Sequence, residues 1–358
     1  MKENLTIFFD MKIIKLLIIV NIIFLIIYFK KEKIIISKEF KQDLNIPKIS
    51  IFLPIYNKGQ YLKRSISSIQ RQTLKDIEIL PINDKSTDNS LDVLKQIANK
   101  DSRIRIINNE KNGGLLYSRG MGILNSRGEY LMCLDPDDQL KGSNDLKFLY
   151  NKAKTFNVDI ISFYILYLPG RTKSYNHLSF NKIIKQPELY HKAFNEGGLL
   201  TDFYITNKLV KKELLKNAFA LFKKYIYGKI WNFHEDNIWS ILVYKYSNSY
   251  LFVNKVIYVY YQNNNSLMKH RENALELENL LFRHKMYKEI LKDKEEQKYL
   301  IAECSQLLEF FEKRVKVIIN NSEIKDQFIN EMKEFIKEYE ISEQFINNIS
   351  LFINKISS

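Results

Sequence analysis

Apolar runs and helical repeats alternate along the chain from about residue 48 to residue 140. Residues 49–54 are almost wholly apolar, which is typical of a strand that is covered on both faces. Leu62, Ile66 and Ile69 then recur at the spacing of one helix face, and a second such repeat follows at 91–97. Further apolar runs predict strands over 76–82, 104–107 and 130–134. This alternation predicts parallel strands joined by crossover helices.

The second part of the chain carries fewer patterns of this kind. Strands are predicted over 158–166 and 250–262, and a helix over 235–246. From about residue 271 onward, apolar residues recur at helical spacing and form one apolar face. Packing explains such a face most simply, so we assign no chemistry to it.

The segment between Lys15 and Lys30 is almost unbroken in its apolar character. With the two isoleucines that precede Lys15, it reaches the ~17 to 20 residues that a helix needs to cross a bilayer. No small-residue cleavage pattern follows it, because the next residues are mostly lysines. We therefore expect a single-pass membrane anchor over 1–30 and a polar linker over 31–47. A removed signal peptide and a buried helix are the alternatives.

Lysines flank both ends of this segment in nearly equal number, so the positive charge does not decide its orientation. An anchor of this kind implies the inner membrane in a bacterium, or the endoplasmic reticulum or Golgi membrane in a eukaryote. Either location is an expectation from the apolar segment alone.

Composition sets limits on the class of protein. The chain has 358 residues, 46% of them hydrophobic, which indicates one large domain with an appendage or two domains. A net charge of +14 favours contact with phosphates, anionic lipid or nucleic acid. The lysines are spread along the chain and form no basic block, so we expect no nucleic-acid partner. The two cysteines are too far apart in sequence to indicate a disulfide framework or a structural zinc site.

Three carboxylates, Asp135, Asp137 and Asp138, follow the strand predicted over 130–134. Such a set repels itself unless a divalent cation neutralises it. If the chain is extended here, Asp135 and Asp137 point the same way and can reach one ion. Hard oxygen ligands favour Mg²⁺ or Mn²⁺. A solvated acidic turn is the alternative.

Polar residues also follow the strand predicted over 76–82. Residues 83–90 end that strand and open a helix, where short polar side chains are ordinary helix caps. The carboxyl ends of parallel strands are also where open α/β sheets bind nucleotides. Five of the eleven glycines fall between residues 113 and 128, which indicates tight turns or a close approach of the backbone.

Four of these segments, in this order, resemble the family-2 glycosyltransferases of the GT-A fold. They are Ile-Phe-Leu-Pro-Ile-Tyr-Asn at 51–57, Asn-Asp-Lys-Ser-Thr-Asp at 83–88, the glycine-containing stretch 112–122, and Gly-Glu-Tyr through Asp-Pro-Asp-Asp at 128–138. Lys85 stands where that family usually has glycine, and Asn83 replaces a frequent aspartate. The Glu-Asp pair at 235–236 is similar to the one that opens the family's acceptor-side helix.

The resemblance implies an α/β fold of GT-A type, with a mostly parallel sheet flanked by helices. It implies a glycosyltransferase domain over 48–268, with a nucleotide-binding half over 48–140 and an acceptor half over 141–268. The N-terminal transmembrane helix would precede this domain, and a helical C-terminal region over 269–358 would follow it.

The resemblance also implies a set of site residues. Those expected to bind the nucleotide are Pro54, Tyr56, Asn57, Asp84, Arg119 and Asp135. Asp137 and Asp135 would hold a divalent cation, Mn²⁺ or Mg²⁺. Asp236 would act as the catalytic base, with Glu235 beside it; two ordinary first-turn residues of a helix are the alternative.

The expected reaction is transfer of a hexosyl or N-acetylhexosaminyl group from a nucleotide sugar, expected to be a UDP-sugar, to an acceptor hydroxyl with inversion. The acceptor is a glycan, a lipid or a protein, and the sequence does not choose among them. Two other functions stay open at this point. One is a non-catalytic, basic, membrane-anchored binding module, and the other is a nucleotidyltransferase of related fold.

Overall fold

A computed structural model describes residues 46–169, 171–173, 182–194, 204–226 and 235–262. The strands, in chain order β1 to β10, are Ile49–Ile55, Ile77–Asn83, Ile107–Asn108, Tyr130–Cys133, Gln139–Leu140, Ile160–Leu168, Arg171–Lys173, Ile183–Lys185, Lys208–Lys211 and Ser249–Tyr261. The helices, α1 to α7, are Gly59–Gln70, Ser90–Ala98, Gly114–Asn125, Asp145–Phe156, Glu188–Phe194, Lys212–Ile226 and Glu235–Tyr246.

The strands form one sheet in the order β3-β2-β1-β4-β9-β6-β10-β5, with β7 beside β6 and β8 beside β10. The first four of these strands are parallel, as the sequence predicted. The sheet as a whole is mixed, because β9 runs antiparallel to both β4 and β6, so the expected parallel arrangement holds for part of it. β9 has only four residues and continues directly into α6, so the apolar pattern indicated neither the strand nor its direction.

The strand predicted over 104–107 is also shorter than expected. Only Ile107–Asn108 is a strand, and Ile104 makes an isolated bridge with Ile79. Ile79 and Asn83 both bond to this edge segment through their backbones, so Pro81, which lies between them, faces the same way. Proline has no N–H to donate, which explains why the ladder is interrupted opposite it.

Helices pack on both faces of the sheet and bury two apolar clusters. Along β1 the side chains alternate: Phe52 belongs to the cluster that includes residues of α3, α6 and α7, whereas Ile51 and Leu53 belong to the cluster that includes residues of α1, α2 and α4. This alternation is the two-residue period of a strand that is covered on both faces. The parallel pairing of β1 with β2 and with β4 places the carboxyl ends of these three strands at one edge of the sheet, where the polar segments emerge.

Several predicted segments lie outside the described residues: the anchor over 1–30, almost all of the linker over 31–47, and the helical region over 269–358. Within the described ranges, no helix combines the length and apolar character needed to cross a membrane.

Candidate active site

Arg119 lies at the centre of the site. It is on α3, its side chain is 2% exposed, and it contacts carboxylates from two other parts of the chain. Nη1 donates to Glu235 at 3.0 Å and to Asp236 at 2.5 Å, both at the start of α7. Nη2 donates to Asp135, just beyond β4, at 3.3 Å. One guanidinium therefore joins three of the predicted site residues.

Burial changes the acidity of this cluster. Removal from water raises the pKa of Glu235 to about 8, although Arg119 opposes the shift. Burial also raises the pKa of Asp135, again against the effect of Arg119. The same burial raises the pKa of the Cys133 thiol. A buried cluster of acids around one cation is typical of functional sites, where charge is arranged for a reaction.

Glu235 and Asp236 differ in their access to solvent. The Glu235 side chain is 8% exposed and the Asp236 side chain is 19% exposed. Both are in the first turn of α7, where the helix dipole favours negative charge. Asp236 is therefore the carboxylate that an incoming molecule can reach more readily.

Residues 135–138 form a turn, in which the Asp138 N–H donates to the Asp135 carbonyl at 3.0 Å. The expectation that Asp135 and Asp137 point the same way in extended chain is therefore wrong, and the two side chains bind different cations, Arg119 and Lys58. The backbone turns at Pro136, shortly after β4 ends, so the two-residue alternation of a strand does not continue to Asp137.

Asp138 is buried and tied to β10. The Tyr258 hydroxyl donates to its Oδ2 at 2.6 Å, and the Tyr261 N–H donates to its Oδ1 at 2.9 Å. The Tyr258 hydroxyl in turn accepts from the Asp135 N–H at 3.2 Å. Burial and the nearby aspartates raise the pKa of Asp138 to about 8. Asp138 thus fixes the turn that carries Asp135 and Asp137.

Asp137 offers carboxylate oxygens, the kind of ligand that Mg²⁺ and Mn²⁺ prefer. Lys58 Nζ lies 2.7 Å from its Oδ2, and Arg64 donates to its backbone carbonyl. No set of three or more His, Cys, Asp or Glu side chains within the described part of the chain is arranged as a metal site. Mg²⁺ and Mn²⁺ are commonly held by one or two carboxylates together with substrate phosphates, so the donor set at 135 and 137 fits such a cation.

Asp84, at the end of β2, braces the start of α3. Its oxygens accept from the N–H groups of Gly113, at 3.0 Å, and Gly114, at 2.8 Å, and from the Asn109 amide at 2.8 Å. Gly114 has φ of 81°, a conformation that glycine adopts without strain. Asp84 therefore fixes the start of α3, the helix that carries Arg119.

The predicted nucleotide loop continues from the end of β1. Pro54 is buried within β1, whereas Tyr56 is 46% exposed. Asn57 Oδ1 accepts from the Thr87 N–H at 2.8 Å and from the Asp88 N–H at 3.2 Å, which links this loop to the one after β2. The two loops form one surface beside the Asp135 turn.

Sequence reasoning missed three residues of this site: Lys58, Tyr258 and Asn109. The three-residue spacing of Lys58, Tyr61 and Arg64 is helical. This spacing could have indicated that the Lys58 and Arg64 side chains lie on the same side of α1. Tyr258 lies in the predicted aromatic strand, but nothing in the sequence indicates that it faces Asp138. Asn109 follows β3, which ends one residue later than the strand predicted over 104–107.

Comparison with known proteins supports the same family resemblance. Residues 50–219 match the family model described as Glycosyl transferase family 2. This part of the chain is therefore similar to the family-2 glycosyltransferases. The recognition made from the sequence motifs at 51–57, 83–88, 112–122 and 128–138 is thereby confirmed.

Relatives with glycosyltransferase names resemble the chain over part of their length. The chain is 31% identical over 224 residues to an uncharacterized glycosyltransferase, EpsJ, of Bacillus subtilis, covering 62% of this chain and 63% of that protein. It is 34% identical over 189 residues to a cholesterol galactosyltransferase of Borreliella burgdorferi, covering 52% of this chain and 47% of that protein. The chain thus spans less than two thirds of the length of each.

The fold is also similar to that of a solved structure. A crystal structure of S. aureus TarS 1-349 in complex with UDP-GlcNAc matches with a TM-score of 0.62 at 20% identity, covering 81% of both chains. At this identity the similarity shows the fold. The chain therefore has a mixed α/β, GT-A-like fold with a central sheet and flanking helices.

Proposed function

We propose that the chain is a membrane-anchored, inverting glycosyltransferase that moves a sugar from a nucleotide sugar to an acceptor hydroxyl. The observation that carries this proposal is the placement of Arg119 between Asp135, beyond β4, and Asp236, at the start of α7. This geometry places the carboxyl-end edge of the sheet, where α/β folds bind nucleotides, close to Asp236. Asp236 is more accessible than Glu235 and can accept a proton.

The proposed donor is a UDP-sugar that carries a hexosyl or N-acetylhexosaminyl group. Two similarities support this choice: TarS, which shares the fold, has been crystallised with UDP-GlcNAc, and a relative is named a cholesterol galactosyltransferase. Tyr56, Asn57 and Asp84 are proposed to surround the base and ribose because they lie on the two linked loops after β1 and β2. Pro54 is proposed to join them because it lies near the end of β1, just before the first of these loops.

Asp236 is the proposed base. The acceptor oxygen forms a bond to the anomeric carbon as the bond from that carbon to the diphosphate breaks, and the diphosphate leaves with the electron pair. The acceptor proton passes to the Asp236 carboxylate. Attack from the face opposite the leaving group inverts the configuration. Glu235, which is more buried, is proposed to fix Arg119 and thereby the orientation of Asp236.

Asp137 and Asp135 are proposed to hold Mn²⁺ or Mg²⁺. When bound, such a cation neutralises the charge that develops on the leaving diphosphate. Asp138 contributes by holding the turn, since both of its oxygens accept hydrogen bonds from β10.

The anchor over 1–30 remains part of the proposal, on the strength of its apolar sequence. The acceptor is proposed to be a glycan, a lipid or a protein, and the described residues do not choose among them. Anchoring would favour acceptors that are attached to, or made at, a membrane.

The proposed function is tested by incubating the full chain with a panel of nucleotide sugars, with and without Mn²⁺, and by measuring both nucleoside diphosphate and pyrophosphate. Cation-dependent release of nucleoside diphosphate from one donor is the expected result. Release of pyrophosphate would instead indicate a nucleotidyltransferase. If neither product is released and no cation-dependent nucleotide binding is found, the proposal is contradicted. That result would favour a non-catalytic binding module.

A further inference from the structure

Lys58 forms an ion pair with Asp137, the residue whose carboxylate is proposed to bind the divalent cation. Its Nζ lies 2.7 Å from Asp137 Oδ2, and the two side chains are only 18% and 17% exposed. Pairs that are this well shielded from water interact more strongly than the common surface ion pairs. The ammonium group therefore competes for an oxygen that a divalent cation would use.

The surroundings of this pair allow the ammonium group to leave without disturbing the turn. Arg64, which lies in α1 six residues after Lys58, donates to the Asp137 carbonyl and stacks over the Tyr261 ring, with its guanidinium carbon 3.8 Å from the ring centroid. The backbone N–H of Lys58 donates to Ser90 Oγ at 3.0 Å. Arg64 thus holds the backbone of the turn, and Ser90 holds the backbone of Lys58. The flexible part is the four-carbon side chain of Lys58.

A cation at Asp137 would bring phosphate oxygens to the same place, because Mg²⁺ and Mn²⁺ complete their coordination with substrate phosphates. An ammonium group released from Asp137 would then have an anionic partner within reach of its side chain. The Tyr61 ring centroid lies 5.6 Å from Nζ, so an aromatic face adjoins the ammonium group in its present position.

We propose that Lys58 is an internal counter-cation that exchanges partners during donor binding. It neutralises Asp137 while no divalent cation is bound, and it contacts the diphosphate of the nucleotide sugar once the cation has taken the carboxylate. This inference rests on the proposed function, because it requires a cation and a diphosphate at this site. It adds a residue that tunes cation affinity and recognises the leaving group.

The test compares the full chain with four variants. Lys58→Met removes the ammonium group, and Lys58→Arg keeps the charge. Lys63→Met removes the same charge from an exposed position of α1, the helix that follows Lys58, and Asp137→Asn removes the charge of the proposed ligand. Binding of Mn²⁺ alone is followed through the electron paramagnetic resonance signal of the free ion. Binding of UDP in the presence of Mn²⁺ is measured by calorimetry.

Lys58→Met is expected to bind Mn²⁺ alone about 5- to 10-fold more tightly than the unaltered chain, on the scale of a shielded ion pair. It is expected to bind UDP with Mn²⁺ about 5- to 10-fold more weakly, since a contact to phosphate is lost. Lys58→Arg and Lys63→Met are expected to stay within about twofold of the unaltered chain in both measurements.

Two results would overturn the inference, and they have different meanings. If Asp137→Asn weakens Mn²⁺ binding but Lys58→Met matches Lys63→Met in either measurement, Lys58 does not exchange partners and the proposed metal site stands. If Asp137→Asn binds Mn²⁺ as the unaltered chain does, the metal site of the proposed function fails, and the role of Lys58 fails with it.

Discussion

Arg119 and Asp236 form an ion pair of 2.5 Å although 117 residues separate them in the chain. Arg119 is on α3, among the nucleotide-binding motifs, and Asp236 opens α7, in the part expected to meet the acceptor. The same guanidinium also binds Asp135. This contact fixes the proposed base relative to the proposed donor site before any substrate is bound.

Replacement of Arg119 by methionine is expected to destabilise the fold strongly. The variant leaves Asp135, Glu235 and Asp236 close together without their common cation, and removing one partner of a buried ion pair costs on the order of 3 kcal/mol. Urea unfolding measures the free energy of unfolding. Arg127→Met, at a side chain that is 68% exposed, is the control and should lose much less. Equal losses in the two variants would contradict the proposed electrostatic role of Arg119.

The buried Glu235 carboxyl predicts a pH dependence of stability. Its pKa is raised from 4.5 to about 8 in the folded chain, so between these values the folded state keeps a proton that the unfolded state has lost. Stability from this group is therefore fully present below pH 4.5 and is lost as the pH rises toward about 8.

Glu235→Gln removes this dependence. The free energy of unfolding of the unaltered chain should fall relative to that of the variant as the pH rises through this window, by at most about 1.4 kcal/mol per pH unit. Glu213→Gln, in the first turn of α6 and 69% exposed, is the matched control and should show no such trend. A constant difference across the window would show that Glu235 is ionised in the folded state.

Lys85 adopts a left-handed backbone conformation, with φ of 58°. This conformation costs about 1 to 2 kcal/mol for a residue with a side chain, whereas glycine avoids that cost but loses about 0.5 to 1 kcal/mol through greater freedom in the unfolded chain. Lys85→Gly is therefore expected to stabilise the fold by about 0.5 to 1 kcal/mol in urea unfolding. Lys95→Gly, within α2 and exposed, should instead destabilise it by about 1 kcal/mol. A destabilised Lys85→Gly variant would contradict the strain argument.

Elements with a strong local period could be predicted from the sequence alone. The helix expected over 235–246 is Glu235–Tyr246 in the structure, and the strand expected over 49–54 is Ile49–Ile55. Apolar spacing determines these elements because each buries a face whose period is set by its own backbone. The departure at Lys85 could also be identified from the sequence, because the family that the chain resembles usually has glycine there. The positive φ of Lys85 shows why glycine suits that turn.

Contacts between distant parts of the chain could not be predicted in the same way. The Lys58 and Asp137 side chains are 79 residues apart in sequence, and the Tyr258 and Asp138 side chains are 120 apart. Both pairs depend on the order of strands in the sheet and on the turn at 135–138. Local periodicity carries no information on strand order, and it indicated extended chain where the structure has a turn.

The central claim is that Asp236 accepts the proton of the acceptor hydroxyl. The most direct test measures nucleoside diphosphate release and donor binding for Asp236→Asn, beside Asp92→Asn as an exposed control, with the donor found in the panel. A general base contributes roughly 100- to 10,000-fold to turnover, so Asp236→Asn should lose turnover on that order while it still binds the donor. Full turnover by Asp236→Asn would contradict the account.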